Sequence, residues 1–141
     1  MKRGELKRWA KYILWCAVEL ELRDWSLTIA SGPCIEEDAI AQVKPVYGRK
    51  LATITLAPGF EYRTREEQRQ TIAHELIHLH WHGAREVMRV DVCQQMSQAV
   101  YDVADSAYVR AMEYGVDALA DAIAKHLPLP DCAPRSTEGG H

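Results

Sequence analysis

The 141-residue sequence has no cysteine pair at Cys-x-x-Cys spacing, no basic excess and no uninterrupted apolar run. Each absence removes a class of function. Four scattered cysteines (Cys16, Cys34, Cys93, Cys132) make neither a zinc finger nor a dithiol motif, and we read them as reduced thiols. A formal charge of −3 leaves no electrostatic footprint for nucleic acid. Lys7, Arg8, Lys11, Glu19 and Glu21 break up the N-terminal region, so it does not read as a secretory signal. No segment approaches the length of a membrane span. The expectation is a cytoplasmic protein without a membrane partner.

Proline is also sparse and unevenly placed. Three of the six prolines fall in the last fourteen residues, and none lies between Cys93 and Leu127. We therefore expect one domain over 1–127 and a flexible tail over 128–141. Leu6, Trp9, Tyr12, Ile13, Cys16 and Leu20 recur at helical steps and predict an amphipathic helix over 5–22. Strands are predicted at 25–30, 39–46 and 51–56, the second demoted to an edge or bulge by Pro45. Connected in sequence, they predict a small three-stranded antiparallel sheet feeding a helix.

That helix opens on Thr64-Arg65-Glu66-Glu67, a capping box, and Gly83 is its expected stop. Residues 84–92 fit a short helix or a loop. A single helix over 93–127 would span roughly 50 Å, so a break is expected around 90–105. The fold class is thus α+β, with an N-terminal helix, a small sheet and two long helices.

The residues that stand out lie on the capped helix. His74-Glu75-Leu76-Ile77-His78 places two imidazoles one turn apart on one face, where both can hold one ion. Glu75 is turned about 100° away, badly placed as a ligand but able to take a proton from a water activated by the ion. With six histidines and twelve glutamates in the chain, the chance expectation for this pattern is about 0.02.

A catalytic zinc has three protein ligands and an open position. His82 continues the line of His74 and His78 on the same helix and cannot help surround the ion, and His80 is on the wrong face. Glu113 is the better third ligand, because its alanine-rich helix can lie close to the first. Asp117, four residues on, is placed to orient a metal-bound histidine from behind.

His74-Glu75-Leu76-Ile77-His78 followed by Glu113-x-x-x-Asp117 resembles the gluzincin metallopeptidases. Glu113 to Ala120 is further similar to the Glu-x-x-Ala-Asn/Asp-x-Phe-Ala signature of ImmA/IrrE-type peptidases, with Val116 and Leu119 replacing the usual alanine and phenylalanine. The resemblance implies a zincin-like fold and a Zn2+ cofactor. It also implies a peptide or protein substrate laid along the edge strand, which by analogy is 51–57. A stand-alone minimal gluzincin fits equally.

These residues together describe peptide hydrolysis in which Glu75 moves the proton of a metal-activated water. Tyr101, Tyr108, Tyr114, His126 and Arg110 are candidate oxyanion donors. Two rival readings are a zinc hydrolase acting on non-peptide bonds and a protein-binding module stabilised by zinc. A closed structural site favours four ligands and cysteine, and no cysteine lies near the motif.

Overall fold

The computed structural model describes residues 1–131. Helix α1 (Arg3–Glu19) leads into β1 (Ser26–Ser31), β2 (Ala41–Pro45) and β3 (Leu51–Leu56). A 3-10 turn (Phe60–Tyr62) precedes helix α2 (Arg65–Glu86), a π-helical stretch (Val87–Val92), a second 3-10 turn (Cys93–Gln95) and helix α3 (Gln98–Ala124). The class is α+β, as the sequence predicts.

The sheet corrects the antiparallel expectation. Its order is β1-β3-β2, with β1 parallel and β2 antiparallel to β3. The loop 32–40 crosses the end of β3 and delivers β2 to the far side. The central place goes to β3 because Ala52, Ile54 and Leu56 are buried along it. Pro45 has no N–H to give to a ladder and suits an edge. The strand 51–57, expected by analogy at the edge, is therefore the middle one, whereas β2 is an edge as Pro45 suggests, and it is the edge that lies against α2.

Helix α2 starts on the capping box: Thr64 Oγ1 accepts from Glu67 N–H at 3.2 Å, and Glu67 Oε2 accepts from Thr64 N–H at 2.9 Å. It does not stop at Gly83. A glycine inside a helix costs only about 1 kcal/mol. The turn beyond it is anchored by an Arg85–Asp105 ion pair and by Gly48 N–H donating to Glu86 Oε1 at 2.6 Å. The expected break falls at 93–97, where Met96 is extended and Ser97 Oγ accepts from Val100 N–H to cap α3.

The core forms where α1, β3, α2 and α3 meet. Trp9 and Ile13 of α1 pack with Ile54, Leu56, Phe60, Ile72, Leu76, Val116 and Ala120. Trp9 meets Phe60 edge-on at 4.9 Å between centroids. Ala120 and Ala124 are buried, and such small side chains allow the close approach of α3 to α2.

The two helices run antiparallel in a regular ladder. Gln70 Nε2 donates to Asp121 Oδ1, His74 lies against Asp117, and His78 lies against Glu113. Each step of four along α2 is matched by a step of four back along α3. Arg69 Nη1 donates to the Leu127 carbonyl at one end, and Arg85 pairs with Asp105 at the other.

Of the segment expected as a tail, residues 128–131 are tied to the body. Tyr12 Oη donates to the Pro128 carbonyl, Arg65 Nε donates to the Pro130 carbonyl, and Pro130 is fully buried. Residues 132–141, including Cys132, lie outside the described residues. No helix among the described residues is long and apolar enough to cross a membrane.

Candidate metal centre

The ladder between α2 and α3 brings three ligand atoms to one point. His74 Nε2 and His78 Nε2 are 3.0 Å apart. Glu113 Oε2 lies 3.5 Å from His74 Nε2, and Glu113 Oε1 lies 3.4 Å from His78 Nε2. Ligands held at about 2.0–2.1 Å in a tetrahedral zinc site are roughly 3.3–3.4 Å apart. The triangle fits such an ion, and its all-nitrogen-and-carboxylate donor set suits zinc. All three residues are half-buried, leaving one side of the triangle toward solvent.

The histidines are prepared for this role. Asp117 Oδ1 lies 3.0 Å from His74 Nδ1. A proton held there leaves the Nε2 lone pair for a metal. Burial, and then the neighbouring His74, pushes the pKa of His78 down to about 4, so the ring stays neutral. Burial raises the pKa of Glu113, opposed by His74 and reinforced by Asp117 and Glu36.

Glu75 sits differently. It is buried at 9% exposure, and its Oε2 accepts from the Val43 N–H at 2.7 Å. That N–H is available because of the strand register. Ile40 and Val46 bond toward β3, so by alternation Ala41, Val43 and Pro45 turn their backbone groups outward. Burial pushes the Glu75 pKa up to about 8, against the pull of the Val43 N–H and with the added push of Glu113. A dication in the triangle acts the other way, favouring the carboxylate.

These shifts have a consequence for the metal-free protein. Glu75 keeps its proton in the fold up to about pH 8, whereas the unfolded chain releases it near 4.5, so unfolding gains as pH rises through that window. For His78 the folded pKa of about 4 is below the unfolded 6.5, so its contribution is lost as pH falls through 6.5 to 4. The two slopes oppose each other where the windows overlap. The decline between about pH 6.5 and 8 therefore belongs to Glu75. Denaturant melts in the presence of chelator should show Glu75→Gln more stable than the parent at pH 8, by roughly 3–5 kcal/mol. The two should converge near pH 4; a gap that does not change with pH would contradict this account.

A cleft of about 570 Å³ opens over the triangle. Ala41, Gln42, Val43 and Pro45 of β2 form one wall, and Val109, Met112 and Glu113 of α3 form the other. Tyr47 and Glu86 stand at one end and Glu36 also lines it. The five side chains considered as oxyanion donors are elsewhere: Tyr101, Tyr108, Tyr114, Arg110 and His126 are not among the lining residues. Tyr101 Oη donates to Asp105, and Tyr114 is 71% exposed.

Sequence reasoning overlooked Glu36, Val43 and Tyr47. The first and last sit in loops whose path no local pattern reveals, and Val43 acts through its backbone. His82 is held apart from the triangle, with Nε2 2.7 Å from Glu86 Oε1 and its ring edge-on to Trp25. Comparison of the chain with protein-family models, with curated proteins and with solved structures finds no match.

Proposed function

We propose that this protein is a zinc-dependent peptidase of a minimal, zincin-like kind, with His74, His78 and Glu113 as the metal ligands and Glu75 as the general base. The observation that carries the reading is the placement of Glu75. A carboxylate is buried beside a three-ligand triangle and anchored by the edge strand that walls an open cleft. A zinc-stabilised binding module needs no such group.

Zinc held in the triangle supplies a Lewis acid that acidifies water and polarises a carbonyl oxygen. The protein's own residues do the rest. The Val43 N–H fixes Oε2 of Glu75 and leaves Oε1 to take the proton of the attacking water. The same carboxyl then returns that proton to the nitrogen of the departing amine. Asp117 holds His74 in the tautomer that presents Nε2, and the α2–α3 ladder keeps Glu113 opposite. The outward N–H and C=O of Ala41 and the C=O of Val43, whose N–H is taken by Glu75, offer an extended peptide a strand to lie against.

The free thiols of Cys34 and Cys93 suit a reducing compartment, and we propose a cytoplasmic location.

Two measurements test the reading together. The purified protein should carry about one zinc per chain, and chelation should abolish hydrolysis that added zinc restores. Incubated with a cell extract, the zinc-loaded protein should generate new peptide N-termini that the chelated protein does not. No stoichiometric metal after zinc is added back, or identical N-termini in both samples, would rule it out.

A further inference from the structure

The loop 32–40 does more than carry the chain across the sheet. It brings Glu36 to the cleft, beside the β2 wall. The backbone around that residue is tied down on both sides. Ile35 N–H donates to Gln42 Oε1 at 2.8 Å, and Ala39 N–H donates to the Glu36 carbonyl at 3.2 Å. Glu36 is therefore positioned by β2 itself, through Gln42.

The other charged side chains of the cleft are mostly committed. Glu75 accepts from Val43, Glu86 from Gly48, Arg85 pairs with Asp105, and Glu113 faces the two histidines. Arg89, the other charged side chain of the cleft without a partner among the described residues, acts on Asp105 of α3, whose pKa it helps to lower, rather than on the centre. The Glu36 carboxylate makes no hydrogen bond or ion pair among the described residues. Its charge still reaches the centre, adding to the upward push on both Glu75 and Glu113. Glu37 and Asp38, both exposed, follow it in the loop and deepen the negative potential there.

We propose that Glu36 is a specificity-determining residue, selecting a lysine or arginine side chain close to the scissile bond of a peptide lying along β2. The proposal rests on the peptidase reading. A basic side chain finds there an unpaired carboxylate on an anchored stretch of backbone at the rim of a cleft. An acidic one meets repulsion from Glu36. Exposure of Glu36 keeps the gain small: an ion pair of this kind corresponds to about a 1.5-fold to fivefold preference, weakened by salt.

The test uses zinc-loaded Glu75→Gln protein, which should hold peptides without cutting them. Fluorescent peptides of one length carry lysine, leucine or glutamate at each position in turn, and affinity is read by anisotropy. Cleavage of the same set by the parent is mapped in parallel. Lysine should bind about 1.5-fold to fivefold more tightly than leucine at one position, and glutamate more weakly than leucine. Adding Glu36→Gln should flatten that preference, and Glu36→Lys should invert it in favour of glutamate. The inversion separates a direct electrostatic contact from a merely structural role of the loop. A basic preference that survives Glu36→Lys, or no basic preference in the parent, overturns the role of Glu36 and leaves the peptidase reading standing. Failure to cut or bind any peptide removes the peptidase reading, and this proposal with it.

Discussion

Glu75→Gln is expected to lower peptide hydrolysis by about 10²–10⁴-fold while zinc stays bound. Glutamine keeps the length and shape of the side chain, and its amide oxygen can still accept the Val43 N–H that holds Oε2 at 2.7 Å. What it loses is the ability to take a proton from water and return it to the leaving amine. The proposed ligands His74, His78 and Glu113 are untouched, so metal content and affinity should match the parent. The same substitution should stabilise the metal-free fold at pH 8, because it removes a buried carboxyl whose pKa is pushed up to about 8. A less active yet more stable variant cannot be explained by misfolding. Turnover equal to the parent's on any substrate would refute the assigned role of Glu75, and loss of zinc would make it a ligand instead.

How much of this was legible in the sequence depends on how local each feature is. The shared face of His74 and His78 follows from helical pitch alone, and the Thr64–Glu67 cap from a four-residue pattern. Both are found as predicted. The pairing of Glu113 and Asp117 with that face is non-local. It was still readable, because two antiparallel helices with residues spaced by four on each can meet in register. Gln70–Asp121 and Arg85–Asp105 extend the same ladder at either end.

The strand order was not readable. Three consecutive strands fit a meander as well as the mixed order found here, and only the missing N–H of Pro45 hinted that β2 is an edge. Gly83 misled for a related reason. Its helix penalty is small, and the contacts that outweigh it, at Asp105 and Gly48, come from distant parts of the chain. Glu36 and Tyr47 reach the cleft on loops, where no period constrains the side chain.

Glu113→Ala should weaken zinc binding far more than His82→Ala, and this comparison tests the role of α3 directly. Glu113 approaches from the second helix, with its two carboxylate oxygens 3.5 and 3.4 Å from the Nε2 atoms of His74 and His78. Without it, two imidazoles on one helix are left to hold the ion from one side. His82 is one turn beyond His78, occupied with Glu86 and Trp25, so its loss should leave zinc affinity near that of the parent. Asp117→Ala should fall between, about 10–100-fold weaker, because Asp117 lies behind His74 rather than toward the metal. Competition with a chromophoric chelator gives the three affinities. Circular dichroism and thermal melts of the metal-free variants check that each is folded. Folding should survive in Glu113→Ala, since Gln70–Asp121, Arg69–Leu127 and Arg85–Asp105 hold α3 against α2 without it. Zinc kept by Glu113→Ala and lost by His82→Ala would take α3 out of the centre and put the third ligand on α2.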